Sequence, residues 1–253
     1  MKKEFYINEK TNDLISNLIY DIQNYNITIS SYIKNIEKLI EEKLDNKDIK
    51  ESKEYINSII RQSFLIEKTV KSFNEFSNIN SSGLVLNKIL DNINDIINDV
   101  INDFKPLLLS KKIKILKEQD DEILSLIDKI KIKNAISNIF VFIFNYLKVN
   151  SILDIKYSII NYSEEEFIFS VGSERSNLIN KYVSISISFL SNNIPEELRK
   201  KLLKKAIIYC NDINFNNLYL YSSYNIIKKH LGDMWIDKVG SKNRITVLLP
   251  IEK

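Results

Sequence analysis

The 253-residue chain holds one histidine, one cysteine, one tryptophan, three prolines and four glycines. A single cysteine, Cys210, excludes a disulfide within the chain and fits a reducing compartment. Nothing around Cys210 points to a lowered pKa, so it reads as a small buried residue. The lone histidine, His230, has Asp233 and Asp237 nearby, a hydrolase-like grouping. Its place at a helix end reads instead as structural. The glycines, Gly83, Gly172, Gly232 and Gly240, form no G-x-G pair. That excludes both a dinucleotide fingerprint and a phosphate-binding P-loop. Long apolar runs are missing too. The most apolar stretch, residues 136–147, contains Asn138 and Asn145 and falls short of the roughly 20 residues that span a bilayer. The N-terminal MKKEFYINEKTND lacks the apolar core of a signal peptide. A soluble, cytoplasmic protein without a membrane partner is expected. The net charge of +3 is too small to mark a nucleic-acid binder.

With 44% hydrophobic and 27% charged residues there is ample material for a core. Apolar residues recur at Ile15, Leu18, Ile22, Tyr25, Ile29, Tyr32, Ile36 and Leu39, an unbroken heptad. A polar turn, residues 44–48, interrupts it. A second heptad runs through Ile56, Ile59, Ser63, Ile66, Val70 and Phe73 to the breaker at 80–83. Two helices of this length joined by a short turn make an antiparallel hairpin. One hairpin cannot cover stripes this wide, and each buried Ile is worth roughly 1.5–3 kcal/mol. Two hairpins paired as a four-helix bundle would cover them, so a homodimer is expected, with residues 1–82 as the dimerisation domain.

Residues 83–253 read as a separate α/β domain. Residues 84–104 are amphipathic and predict a helix, with Pro106 just past it. Strands are expected at 112–116, 152–160, 167–171, 182–189, 234–237 and 244–249, and helices at 130–147, 195–206 and 221–230. The order predicts an α+β sandwich, a mixed sheet with helices packed on one face. The acidic run Asp120-Asp121-Glu122 reads as a solvated turn and not as a metal site. Arg199-Lys200-Lys201 with Lys204-Lys205 reads as a solubilising basic face.

In order and local detail the chain resembles the core of a sensor histidine kinase: a dimerisation and phosphotransfer hairpin followed by a Bergerat-type ATP-binding domain. VLNKILDNINDIINDVINDFKPLLLSKKIKIL is similar to that family's opening helix and first long strand. DKIKIKNAISNIFVFIFNYL is similar to its asparagine-box helix, matching at Asp128, Ala135, Ser137, Asn138 and Tyr146. The run 192–197, NNIPEE, resembles the tail of the first glycine box. IIKKHLGDMWIDKVGSKNRITVLLP resembles the closing segment, with His230, Gly232, Trp235, Gly240 and Pro250 in step.

The residues that the resemblance would make chemical are replaced. The phosphoacceptor histidine falls at Tyr20, beside a retained acidic Asp21. A phenol of pKa about 10 is a poor nucleophile at neutral pH without a base. The family's proline falls at Tyr25. Its magnesium-holding asparagine falls at Phe142, which has no oxygen for a hard cation. Asn145 could substitute only if the helix were rotated. The adenine-reading aspartate falls at Phe189, and the glycines of that loop at Ser191 and Asn193. The second glycine box falls across 215–220, keeping Leu218 and Leu220 but placing Phe215 and Tyr219 among them. A pocket filled by aromatics, taking neither ATP nor Mg²⁺, is the expectation.

The resemblance then implies a degenerate kinase-like protein that binds a response-regulator receiver domain or an intact histidine kinase. The docking surface would be Asp21, Gln23, Asn24 and Thr28, with Gln62 of the second helix. Two alternatives stay open. One is an active but divergent kinase, phosphotransferase or regulator phosphatase, in which Asp21, Gln23 and Asn24 position a water. The other is an interaction protein outside two-component signalling.

Overall fold

Two periodicities, one helical and one alternating, divide the chain. The structure, a computed structural model, describes helical residues within 22–41 and 53–75, then residues 84–118, 122–161, 181–191, 194 and 215–251. Two compact units result, Met1–Gly83 and Leu84–Lys253.

In the first unit the described residues form two helical stretches, α1 within 22–41 and α2 within 53–75. Asn26 and Ile33 of α1 are buried, as are Ile56, Ser63 and Val70 of α2. Hydrogen bonds between Asn26 and Ser63 join these rows. An ion pair, Lys53 Nζ to Glu41 at 3.2 Å, ties the other end. The heptads thus split. Ile22, Ile29 and Ile36 of α1 and Ile59 and Ile66 of α2 remain 38–51% exposed. The expected turn at 44–48 and breaker at 80–83 lie outside the described residues.

The second unit runs β1 (Ile89–Asn92), α3 (Ile93–Ser110), β2 (Lys114–Lys117), β3 (Leu124–Ile127), α4 (Lys129–Tyr146), β4 (Ile152–Asn161), β5 (Lys181–Phe189), α5 (Phe215–Lys229), β6 (Asp233–Val239) and β7 (Lys242–Pro250). Five strands make a mixed sheet in the order β2-β4-β5-β7-β6. β2 and β4 are parallel and the other neighbours antiparallel. β1 and β3 pair separately. The fold is an α+β sandwich. Alternation chooses the covered face: Leu153 and Ile155, Val183, Ile185, Ile187 and Phe189, Met234 and Ile236, and Ile245, Val247 and Leu249 are all buried. Between them stand polar residues such as Asp154, Ser186 and Ser188. On β6 and β7, Asp237 and Arg244 face each other in register and form a bidentate pair (2.9 and 2.6 Å).

α4 is apolar nearly all round, from Ile132 through Phe144, and is buried on every side but its ends. Phe140 meets Phe104 of α3 edge-on, centroids 5.4 Å apart. Ser222 and Ser223 are fully buried, and small residues there let α5 approach α4 closely. Ser223 Oγ lies 2.8 Å from both the Ala135 and the Tyr219 carbonyl oxygens.

Three expectations need correction. The opening helix does not start at residue 84. β1 occupies 89–92, because pairing with β3 outweighs the local helical pattern, and Asn92 then caps α3 by accepting from the Asn94 N–H. Pro106 lies inside α3 and not past it. It sits on an exposed side together with Asn102, so the bond that proline removes falls toward solvent. α5 begins at Phe215, not Tyr221. The strand expected at 167–171, the helix at 195–206 with its basic face, Cys210, Asp120 and Asp121 lie outside the described residues. Among the described residues no helix is long and apolar enough to cross a membrane.

Candidate functional site

The site that the resemblance points to would be built from α4, the exit of β5 and the start of α5. Phe142 on α4 is 0% exposed, and its ring lies 4.9 Å from that of Tyr146, whose phenol burial pushes above its usual pKa. Asn145, the nearest amide that could have served in its place, is exposed, so the helix is not rotated to bring it inward. Phe189 ends β5, also at 0% exposure, in register with Leu153 and Asn243. Beyond it the chain is clamped to the end of α4. Leu147 and Ser191 form a bridge, Lys148 N–H donates to the Leu190 carbonyl (3.2 Å), and Asn243 Nδ2 donates to Ser191 Oγ (2.7 Å). Ser191 therefore holds backbone and side-chain contacts where a glycine loop would leave space.

The residues aligned with the second glycine box are helical. Phe215, Leu218 and Leu220 all fall in α5. Leu220 and Tyr219 are buried; the side chains of Phe215 and Leu218 are outside what is described. A helix spreads its amides along an axis, whereas a phosphate cradle folds several toward one point. Asn138 is buried, and its Nδ2 has no partner among the described residues. Tyr20, Asp21, Asn24, Gln62 and Asn193 lie outside the described residues. Gln23 is half-buried and Thr28 exposed, both on α1. Among the described residues no group of three His, Cys, Asp or Glu side chains could hold a metal ion.

The sequence drew attention to His230 and Asp128 separately, and the structure joins them. Asp128 caps α4: Oδ1 accepts from the Lys131 N–H (3.0 Å) and Oδ2 from the Asn87 N–H (2.9 Å). Its own N–H donates to His230 Nε2 at 3.0 Å. Nδ1 of His230 must then carry the proton, donating to the Ile226 carbonyl 2.8 Å away. The imidazole is fully buried. Burial lowers its pKa below the ordinary 6.5, as does Lys88, against the opposing pull of the Ile226 carbonyl and Asp128. Protonation would set an N–H against the Asp128 N–H.

The unfolded chain takes up the proton below about pH 6.5 and the folded chain resists it, so stability is full above 6.5 and falls as pH drops toward the depressed folded value. With no other histidine present, thermal midpoints at pH 7.5 and 5.5 should differ in the native protein and converge in His230→Gln. Equal slopes in both proteins would remove His230 from this role.

No family model matches the sequence, and no curated protein does. Solved structures do. The Acinetobacter baumannii histidine kinase AdeS aligns over 90% of this chain and 96% of its own, with TM-score 0.54 and 16% identity. Full-length ShkA in complex with AMPPNP aligns over 95% of this chain, with TM-score 0.55 and 12% identity; the match spans 46% of ShkA. The likeness is one of fold: the chain shares with these kinases a helical unit followed by an α/β unit of the histidine-kinase ATPase-like fold.

Proposed function

We propose that the protein is a cytoplasmic two-component signalling component that works by binding and not by phosphoryl transfer. One observation carries the reading: Phe142 and Phe189, at the positions of the magnesium ligand and the adenine reader, are both wholly buried. Neither offers a donor or acceptor to a nucleotide, and neither is placed to move aside without opening the core. Tyr20 in the phosphoacceptor position supports the same reading.

The acting form is a homodimer through residues 1–82. Ile22, Ile29, Ile36, Ile59 and Ile66 repeat at heptad spacing and remain half-exposed in the single chain. A second copy presents the same rows, and covering the exposed half of each is worth about 1 kcal/mol per residue. The partner is the receiver domain of a response regulator or an intact histidine kinase, received along α1 at Gln23 and Thr28, with Asp21, Asn24 and Gln62.

Calorimetric titration of the purified protein with Mg-ATP and with Mg-ADP tests the core of this reading. No heat and no thermal shift are expected. Micromolar binding, a free energy near about −8 kcal/mol, would overturn it and return the protein to the enzymes.

A further inference from the structure

Along the heptad row that joins the two helices the residues are apolar except at one level; Lys68, Ser72 and Glu75, also buried on α2, fall off that row. In α2 the row is Ile56, Ser63, Val70; in α1 it is Asn26, Ile33, and the same heptad step in the sequence reaches Ile19 and Ile40. The two polar residues meet. Asn26 Nδ2 donates to the Ser63 carbonyl oxygen at 2.7 Å, and Ser63 Oγ donates back to Asn26 Oδ1. With its own proton committed, Ser63 Oγ accepts from Ser30 Oγ at 2.7 Å. Asn26 and Ser63 are 6% and 5% exposed, so both ends of the amide are satisfied in a place closed to water.

We propose that Asn26 and Ser63 are the specificity-determining pair that fixes the hairpin's register, and thereby sets the exposed isoleucine rows in the single alignment that a second copy can match. The pairing role rests on the dimer reading above; the register does not. A slip of one heptad would bring Asn26 against Ile56 or Val70, leaving its amide buried without a partner. An all-apolar row would carry no such penalty and would pack about equally well at several levels. Asn26 lies opposite Ser63, so in antiparallel helices Ile33 lies opposite Ile56, and that pair reports the register.

The test uses the full chain with Cys210→Ser, adding Ile33→Cys and Ile56→Cys. Near-complete intrachain disulfide formation is expected with Asn26 and Ser63 in place, and a drop of at least two-fold in yield with Asn26→Leu/Ser63→Leu. The exchanged pair, Asn26→Ser/Ser63→Asn, should keep the native yield. An undiminished yield in the leucine variant overturns the proposal. Should that variant fail to fold, loss of the disulfide in the exchanged pair overturns it. Sedimentation separates the two readings. The leucine variant should broaden from one dimer into several species, whereas a native chain that sediments as a monomer sinks the dimer and leaves the disulfide result to decide the register.

Discussion

Phe142→Asn, which places there the residue type that the resemblance to histidine kinases implies, is expected to cost about 3–5 kcal/mol of stability and to bring no binding of Mg-ATP. The cost is that of removing a fully buried aromatic side chain, and the amide that replaces it adds a desolvation penalty. α4 is enclosed from Ile132 to Phe144. One turn earlier, Asn138 already holds a buried Nδ2 that finds no acceptor among the described residues. A second amide in the same surroundings would be no better served. The pocket would stay closed because Phe189, Leu220 and the clamp from Ser191 to Leu147 and Asn243 remain. Asn145→Ala, on the exposed side of the same helix, should change stability by no more than about 0.5 kcal/mol. Urea unfolding of both variants, with an Mg-ATP titration of each, is the measurement. A Phe142→Asn protein that loses less than about 1 kcal/mol and binds Mg-ATP would make Phe142 a plug in an intact pocket, and the binding-only function would fall.

The elements that the sequence revealed were those whose pattern was both long and consistent with packing. α4 is apolar on all sides because it is covered on all sides, and β5 alternates from Val183 to Phe189, where the apolar residues share one buried face while Ser186 and Ser188 on the other are half-buried. β3 escaped notice because four residues, Leu124–Ile127, are too few to show alternation. β1 read as helix because Leu90, Ile93 and Ile97 keep helical spacing straight through the strand; only pairing with β3 separates them. In the hairpin, the heptad marked the helices but not which row faces the partner helix and which stays open. Asn26, the one break in a row of isoleucines, carried that information in the sequence, and its link to Ser63 required the second helix. At the candidate site the resemblance singled out positions 142 and 189, where it implies replaced residues. An aromatic filling was expected there, and in the structure Phe142 and Phe189 are both wholly buried.

Gly232→Ala is expected to destabilise the α/β unit by about 3 kcal/mol or more. The turn after α5 passes through Leu231, which takes a left-handed conformation (φ 65), and Gly232 N–H returns to the Ile227 carbonyl at 2.9 Å. A Cβ on Gly232 would lie 2.1 Å from the Leu248 carbonyl oxygen and 2.9 Å from Ile227 Cγ2. The side chain could turn; the carbonyl belongs to β7, where Leu248 pairs with Asp233 of β6, and cannot retreat without opening the sheet. Overpacking against a yielding neighbour costs about 1–3 kcal/mol, and against backbone the upper end or beyond applies. Displacing this exit also moves His230, two residues back, off the Asp128 N–H, so the pH dependence assigned to that contact should weaken in the same variant. Gly240→Ala provides the contrast. Gly240 has φ 61, but a methyl group there would meet nothing within 4 Å, so only left-handed strain remains, about 1–2 kcal/mol. For a unit of this size each kcal/mol moves the thermal midpoint by about 2–4 °C. The expected order is a fall of about 6–12 °C for Gly232→Ala and about 2–8 °C for Gly240→Ala. Equal shifts would mean that the exit of α5 yields as readily as an open turn, and the coupling between His230 and the end of α5 would lose its mechanical basis.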